Sequence, residues 1–230
     1  MTGNTMVVAL DVDGTLYDGR SVAAEAVAAI AAAAAAGHVV LIITGRPWRD
    51  LPEIIPDVLR HVTLAACEEG TVMVRVATGE HVLLAEPVNR RFATGLVAAD
   101  VGPVSLGDVM IGAPALAADV ARRLRDEGDD DVHLVRNKGS LAILPSGFDK
   151  GRALRDALHL LGLEGSRVLA IGDAANDLPM FAVADVAVAV AGADAAVRDA
   201  CIPLTEHDAG AGVAEALRRH LPVAPSQSPS

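Results

Sequence analysis

Two aspartates, Asp11 and Asp13, stand where the apolar run MVVAL ends, with Gly14 and Thr15 directly behind them. Residues i and i+2 of extended backbone point to the same side, so both carboxylates can face one reacting group. Such a pair suits a division of labour in which one carboxylate is an ionised nucleophile and the other a general acid and base. Comparable polar clusters follow two other apolar runs: Thr44-Gly45-Arg46, and GDAAND from Gly172 to Asp177. Lys150 stands ahead of the last of these runs. Gathered carboxylates without a cation repel one another and raise each other's pKa. Hard oxygen donors without His or Cys select Mg²⁺, which takes one or two carboxylates, here Asp11 and Asp173, and completes its shell with water and substrate phosphate. Thr44 offers a hydroxyl, Gly45 an unobstructed backbone N–H and Lys150 a cation, a set suited to phosphate oxygens and to charge in a transition state.

Each cluster alone has a plainer explanation. DVDGT can be an Asx-type turn, Thr44 a strand cap, Lys150 a solvated charge, and GDAAND a turn with an N-cap. Their joint occurrence around one sheet edge favours chemistry, because ligands of open parallel sheets bind beyond the carboxyl ends of the strands.

The elements that would position these groups follow from the hydrophobic pattern. MVVAL predicts a strand covered on both faces, and a helix follows from about Ser21, its expected N-cap, with Glu25 in the early turns. VVLIITG and VTLAACEEG predict second and third strands, and this alternation predicts a parallel α/β sheet. From residue 72 the rhythm changes to short alternating pieces, TVMVRVA, EHVLLAE and DVHLVRNKGSLAILP, around a helix near 115–127. After PSGFDKG the first rhythm returns with a helix over 151–161, the strand RVLAIGD, a helix after Asn176 and the strand VAVAV. The expected organisation is a core over 1–71 and 148–221, an inserted small α+β domain over 72–147, and a disordered Pro- and Ser-rich tail over 222–230.

Composition narrows the function classes. A net charge of −11 with no Lys/Arg cluster argues against a nucleic-acid surface. At 2% aromatic content, stacking platforms are not the recognition device. Cys67 and Cys201 lack metal or redox spacing and are expected to be buried small hydrophobes. The stretch AVAAIAAAAAAGHVVLIITG has about the length of a membrane span, yet it splits at Gly37 into an Ala-rich helix and a buried strand, so no membrane partner is expected. The amino terminus lacks signal-peptide features, and the cytoplasm is the expected location.

Four stretches in order, DVDGTL, ITGRP, GFDKGRAL and IGDAANDLPMF, resemble the four motifs of the haloacid dehalogenase (HAD) superfamily of phosphohydrolases. The resemblance is to its Cof-like branch, which carries a C2-type cap between the second and third motifs. It covers both halves of the core and is only topological over the insert. It implies a Rossmann-like parallel-sheet core with an α+β cap, and a Mg²⁺-dependent phosphatase acting on a small phosphorylated metabolite of sugar-phosphate or phosphoglycolate type. Asp11 would be the nucleophile that forms an aspartyl-phosphate, and Asp13 the acid that protonates the leaving oxygen and then activates water. Thr44, Gly45 and Lys150 would bind the phosphoryl group, with Asn176 beside them. Mg²⁺ would be held by Asp11, the backbone carbonyl of Asp13 and Asp173, with Asp177 in support.

Where relatives often carry Asn-Gly after the third strand, this chain has Glu69-Gly70, and a carboxylate there disfavours a strongly anionic leaving group. The size of the insert matches the caps of archaeal-type phosphoglycolate phosphatases and sugar-phosphate phosphatases, which exclude water and select the leaving group. Candidate specificity residues are Arg46, Glu69, Arg136 and Lys138, with Asn137, Arg90 and Arg91 also placed to reach the site. A phosphomutase or phosphotransferase on the same fold is the nearest alternative. A phospho-accepting receiver ranks lower, because the paired aspartates follow the first strand and a cap interrupts the sheet. Asp13 counts against a dehalogenase, since halide needs no acid in order to leave.

Overall fold

The computed structural model describes residues 5–128, 130–137, 139–200 and 202–221. Its strands are β1 (Met6–Leu10), β2 (Val39–Ile43), β3 (Leu64–Cys67), β4 (Val72–Arg75), β5 (Glu80–Leu83), β6 (Ser105–Leu106), β7 (Ile111–Pro114), β8 (Val132–Asn137), β9 (Ser140–Pro145), β10 (Arg167–Gly172) and β11 (Val186–Ala189). Seven of them form a sheet in the order β11-β10-β1-β2-β3-β4-β5, parallel from β11 to β3. The continuous apolar runs are explained by helices on both faces. Along β1, Val8 and Leu10 pack with Ile30, Val213 and Leu217, while Val7 and Ala9 pack with Ala153, Leu154 and Met180. Alternation sends successive side chains to opposite faces, so a strand buried twice must be apolar throughout.

Local signals set the helix ends unevenly. The helix Lys150–Leu161 starts at Asp149, whose carboxylate accepts from Arg152 N at 2.7 Å, and stops at Gly162 in left-handed backbone. The first helix begins at Ala24, without a side-chain cap, rather than from Ser21. Ser21 is held in a preceding turn, where the Asp18 carboxylate accepts from the N–H groups of Arg20 and Ser21 at 2.8 Å. The Ala-rich stretch divides at Gly37 as expected, and no helix among the described residues is long and apolar enough to cross a membrane.

The insert builds an antiparallel sheet in the order β6-β7-β9-β8, backed by helices Arg91–Ala98 and Ala118–Gly128 around Phe92, Leu96, Ala121, Ile111 and Ile143. Helix Arg91–Ala98 lies beyond the single insert helix expected. Gly95 weakens its pattern but lets the two helices close in, since a Cβ there would lie 2.7 Å from Leu124.

The expected start of the insert at residue 72 is corrected by the sheet pairing. β4 and β5 extend the seven-stranded sheet as an antiparallel hairpin. Val72 and Val74 enter one core face and Met73 the other, and this burial on both faces makes the hairpin part of the large sheet. The second sheet therefore draws on residues beyond Leu83. Cys67 is buried as expected, while Lys138, Cys201 and the tail over 222–230 lie outside the described residues.

Candidate active site

Strand register gathers the polar groups. Leu10 pairs with Ile171 on one side and Ile42 on the other, so the carboxyl ends of β1, β2 and β10 are level. Asp11 N donates to Ile171 O at 3.0 Å and Thr44 N to Ala66 O at 2.9 Å, carrying the ladder one residue past the strands. Asp11, Thr44, Glu69 and Asp173 thus leave four neighbouring strands at one edge. The helix capped by Asp149 delivers Lys150 to the same place from its first turn.

Lys150 is buried with its Nζ 2.6 Å from Asp11 Oδ1 and 2.6 Å from Asp177 Oδ1. Asp177 Oδ2 accepts from Asp173 N at 2.8 Å and Ala174 N at 2.9 Å. Thr15 Oγ1 donates to Asp173 Oδ1 at 3.0 Å, a role that the sequence reading did not assign to this residue. Burial pushes the Asp11 carboxyl well above the usual carboxylate range; Lys150 opposes that push, and Asp177 and Asp173 add to it. Burial would lower the Lys150 ammonium, but Asp11, Asp177 and Glu69 outweigh it and hold its pKa well above the ordinary value.

Asp11, Asp173 and Asp177 offer oxygens that all lie within 4.8 Å of one another. Three buried carboxylates against one ammonium leave excess negative charge, and the donors are all hard oxygens. This set fits a hard divalent cation. Asp177 already gives its oxygens to Lys150 and to two backbone N–H groups.

Asp13 is half-buried, and Arg46 grips it with Nε and Nη2, each 2.7 Å from a carboxylate oxygen. The Thr44 hydroxyl accepts from Arg46 N at 3.1 Å, which orders the loop after β2. Across from it, Glu69 Oε1 accepts from Asn176 Nδ2 at 3.0 Å. Burial pushes the Glu69 carboxyl up, opposed by Lys150 and by the Asn176 bond. Gly45 makes room for this carboxylate, because a Cβ there would lie 2.7 Å from Glu69 Oε1. Glu68, Glu69 and Gly70 all hold left-handed backbone, with φ of 52°, 57° and 93°. At Gly70 no other residue fits, since a Cβ would fall 2.3 Å from that of Ala153.

The insert roofs these groups and leaves a cleft of about 660 Å³. Asp11, Asp13, Gly45, Arg46 and Glu69 form its floor, while Ser105, Met110, Ala113, Val135, Asn137 and Leu141 belong to the roof. Arg136, between Val135 and Asn137, is exposed and does not line the cleft, contrary to the expectation that it reaches the site. Arg90 is also exposed and off the cleft, and Arg91 is held by Leu124 O and Asp130 within the insert. Lys138 lies outside the described residues. Among the described residues, Arg46 is the one basic side chain lining the cleft.

Acidic groups and a buried lysine at the carboxyl edge of a parallel sheet, under an antiparallel roof inserted in the chain, define a capped protein of the α/β class with its polar site between core and cap. The family model for haloacid dehalogenase-like hydrolases matches residues 8–98 and 112–217, and the chain belongs to that family. It is 30% identical over 223 residues to a phosphoglycolate phosphatase from Methanothermobacter thermautotrophicus, covering 93% of this chain and 98% of that one. It is 25% identical over 224 residues to a phosphoglycolate phosphatase from Nitrosopumilus maritimus, covering 94% and 96%. In structure it is similar to a HAD/Cof-like hydrolase from Plasmodium vivax, with a TM-score of 0.77 at 17% identity, covering 94% of this chain and 95% of that one. The Rossmann-like core and the cap are the fold expected, and these likenesses support the Cof-like phosphatase that the motifs imply.

Proposed function

We propose that the protein is a Mg²⁺-dependent phosphatase that hydrolyses a small phosphorylated metabolite through an aspartyl-phosphate on Asp11. The observation that carries this reading is the buried contact of Lys150 with Asp11, which lines the same cleft as the Arg46-held Asp13.

In the first step an Asp11 oxygen attacks phosphorus and the bond to the leaving oxygen breaks, with Asp13 giving that oxygen a proton. In the second step Asp13 takes a proton from water as the water attacks the phosphoryl group, which frees phosphate and restores Asp11. Lys150 favours the ionised Asp11 and, with the Thr44 hydroxyl and the Gly45 N–H, binds phosphoryl oxygens. Asn176 orients Glu69 at the edge of this pocket. Asp11, the backbone carbonyl of Asp13 and Asp173 would hold Mg²⁺, with Asp177 supporting them. When bound, the ion neutralises charge on the phosphoryl oxygens.

The names of the relatives put phosphoglycolate among the candidate substrates. The neutral polar roof residues Ser105, Asn137 and Ser140, with acidic Glu69 below, are better matched to a hydroxyl-bearing sugar phosphate. A panel containing phosphoglycolate and hexose, pentose and triose phosphates, assayed for inorganic phosphate, tests the reading. Release that stops with a chelator and returns with Mg²⁺ is expected. No release from any member, or isomerised ester in place of phosphate, would overturn it.

A further inference from the structure

Glu68 stands beside the pocket residue Glu69 and is fully buried, yet it faces away from the catalytic floor. Its Oε1 accepts from Asp108 N at 2.7 Å, and its Oε2 accepts from Val109 N and Met110 N, each at 2.9 Å. These donors belong to the turn between β6 and β7 of the cap. Successive N–H groups that converge on one carboxylate form an anion nest, and hydrogen bonds to a charged acceptor are the strong kind. The turn is shaped for this occupant: a Cβ on Gly107 would lie 2.4 Å from Glu68 Oε2, and Gly107 N donates to Met110 O at 2.9 Å.

The same turn is anchored in other ways. Val109 is buried within the core cluster that holds Cys67, Val72 and Val74, so the cap inserts a side chain into the large domain. Val88 N donates to Val109 O at 2.8 Å, and Arg49 Nη2 donates to Leu106 O at 2.5 Å. The consecutive left-handed residues let two adjacent carboxylates serve opposite sides, Glu68 the cap turn and Glu69 the pocket. Met110, at the far end of the nest, lines the cleft roof.

We infer that Glu68 is a positioning residue: its clamp on Asp108–Met110 docks the cap turn to the core and sets the spacing between the roof at Met110 and the floor at Glu69. The cap cannot lift as a rigid body at this turn without breaking three charge-assisted hydrogen bonds and uncovering Val109. The functional half of this inference rests on the phosphatase reading.

The test uses the full chain with Glu68→Ala, Glu68→Gln and Gly107→Ala. Amide exchange is followed at Asp108, Val109 and Met110, with β1 as the internal reference for global opening. Steady-state kinetics are run on whichever panel phosphate the wild type hydrolyses. In Glu68→Ala and Gly107→Ala the three amides should exchange at least about tenfold faster than in wild type while β1 is unchanged. KM should rise by about tenfold, more than kcat falls, because the roof is displaced rather than the nucleophile. Glu68→Gln, which keeps one acceptor oxygen, should fall between. Unchanged exchange at the turn in all three variants would overturn the clamp. Faster exchange at the turn with KM and kcat unaltered would overturn its role in shaping the cleft. The exchange result stands whether or not any phosphate is hydrolysed, so failure of the phosphatase reading is seen separately as an inactive wild type.

Discussion

Arg46 holds Asp13 in a two-pronged grip, Nε and Nη2 each 2.7 Å from one of its oxygens, so the residue that orders the loop after β2 also aims the carboxylate after β1. For Asp13 to reach a leaving oxygen this grip must loosen on one prong. Asp13→Asn is expected to reduce turnover by roughly 10²- to 10⁴-fold for alkyl phosphates, the usual contribution of general acid–base catalysis. The reduction should be smaller for a nitrophenyl phosphate, whose leaving group needs less help. Values of kcat/KM on the two substrate kinds check this, because they report the step in which the leaving oxygen departs and not the common hydrolysis of the aspartyl-phosphate, and an equal loss in kcat/KM on both would count against Asp13 as the proton donor. Arg46→Ala should shift the two rates in the same sense but less.

Lys150 is the sole ammonium among the buried carboxylates of Asp11, Asp173 and Asp177 in the described site. Lys150→Met leaves those charges uncompensated. Breaking a buried pair from one side costs about 3–5 kcal/mol, so the urea midpoint should fall markedly and the rate should drop by at least about tenfold. Stability equal to that of the wild type would show that the ammonium is not what holds the carboxylates together.

Gly45 and Glu69 occupy one space. Gly45→Ala would place a methyl group 2.7 Å from Glu69 Oε1, and the side chain that yields is that of Glu69. Loss of activity in Gly45→Ala, partly restored by adding Glu69→Ala, is the expected outcome of a double-mutant cycle. Strict additivity would mean that the two positions act separately.

His38 couples the start of β2 to the start of β1, its Nδ1 accepting from Met6 N at 3.1 Å. Burial lowers its pKa, so the unfolded chain binds the proton more readily than the folded one. The stability this contact contributes is present above the unfolded value, about 6.5, and is lost as pH falls below it. Tm should therefore decline on acidification from about pH 7.5 to 5.5, and His38→Asn, which keeps an acceptor that does not titrate there, should show a shallower decline. Equal slopes would remove His38 from the pH dependence.

The core of this site was legible because its signals are local. Two aspartates two residues apart, a Thr-Gly pair and GDAAND each follow an unbroken apolar run, and the parallel register then brings the runs level without further information. Glu68 carries no such local signal, since its partners are backbone N–H groups some forty residues on, which no side-chain pattern announces. The hairpin of β4 and β5 reads as part of the insert by sequence alone, because alternation in a strand does not tell which sheet pairs with it. Arg136 was expected at the cleft on charge alone. Its neighbours Val135 and Asn137 line the cleft instead, as the period of two along β8 requires once their side is known.

The central claim is that Asp11 is the attacking group, and phosphate release by Asp11→Asn with Mg²⁺, on the best substrate of the panel, tests it most directly. An amide cannot form the aspartyl-phosphate, so the account predicts a folded variant, as judged by its circular dichroism and melting curve, with turnover reduced to background. A folded Asp11→Asn protein that still releases phosphate at a rate near that of the wild type would contradict it.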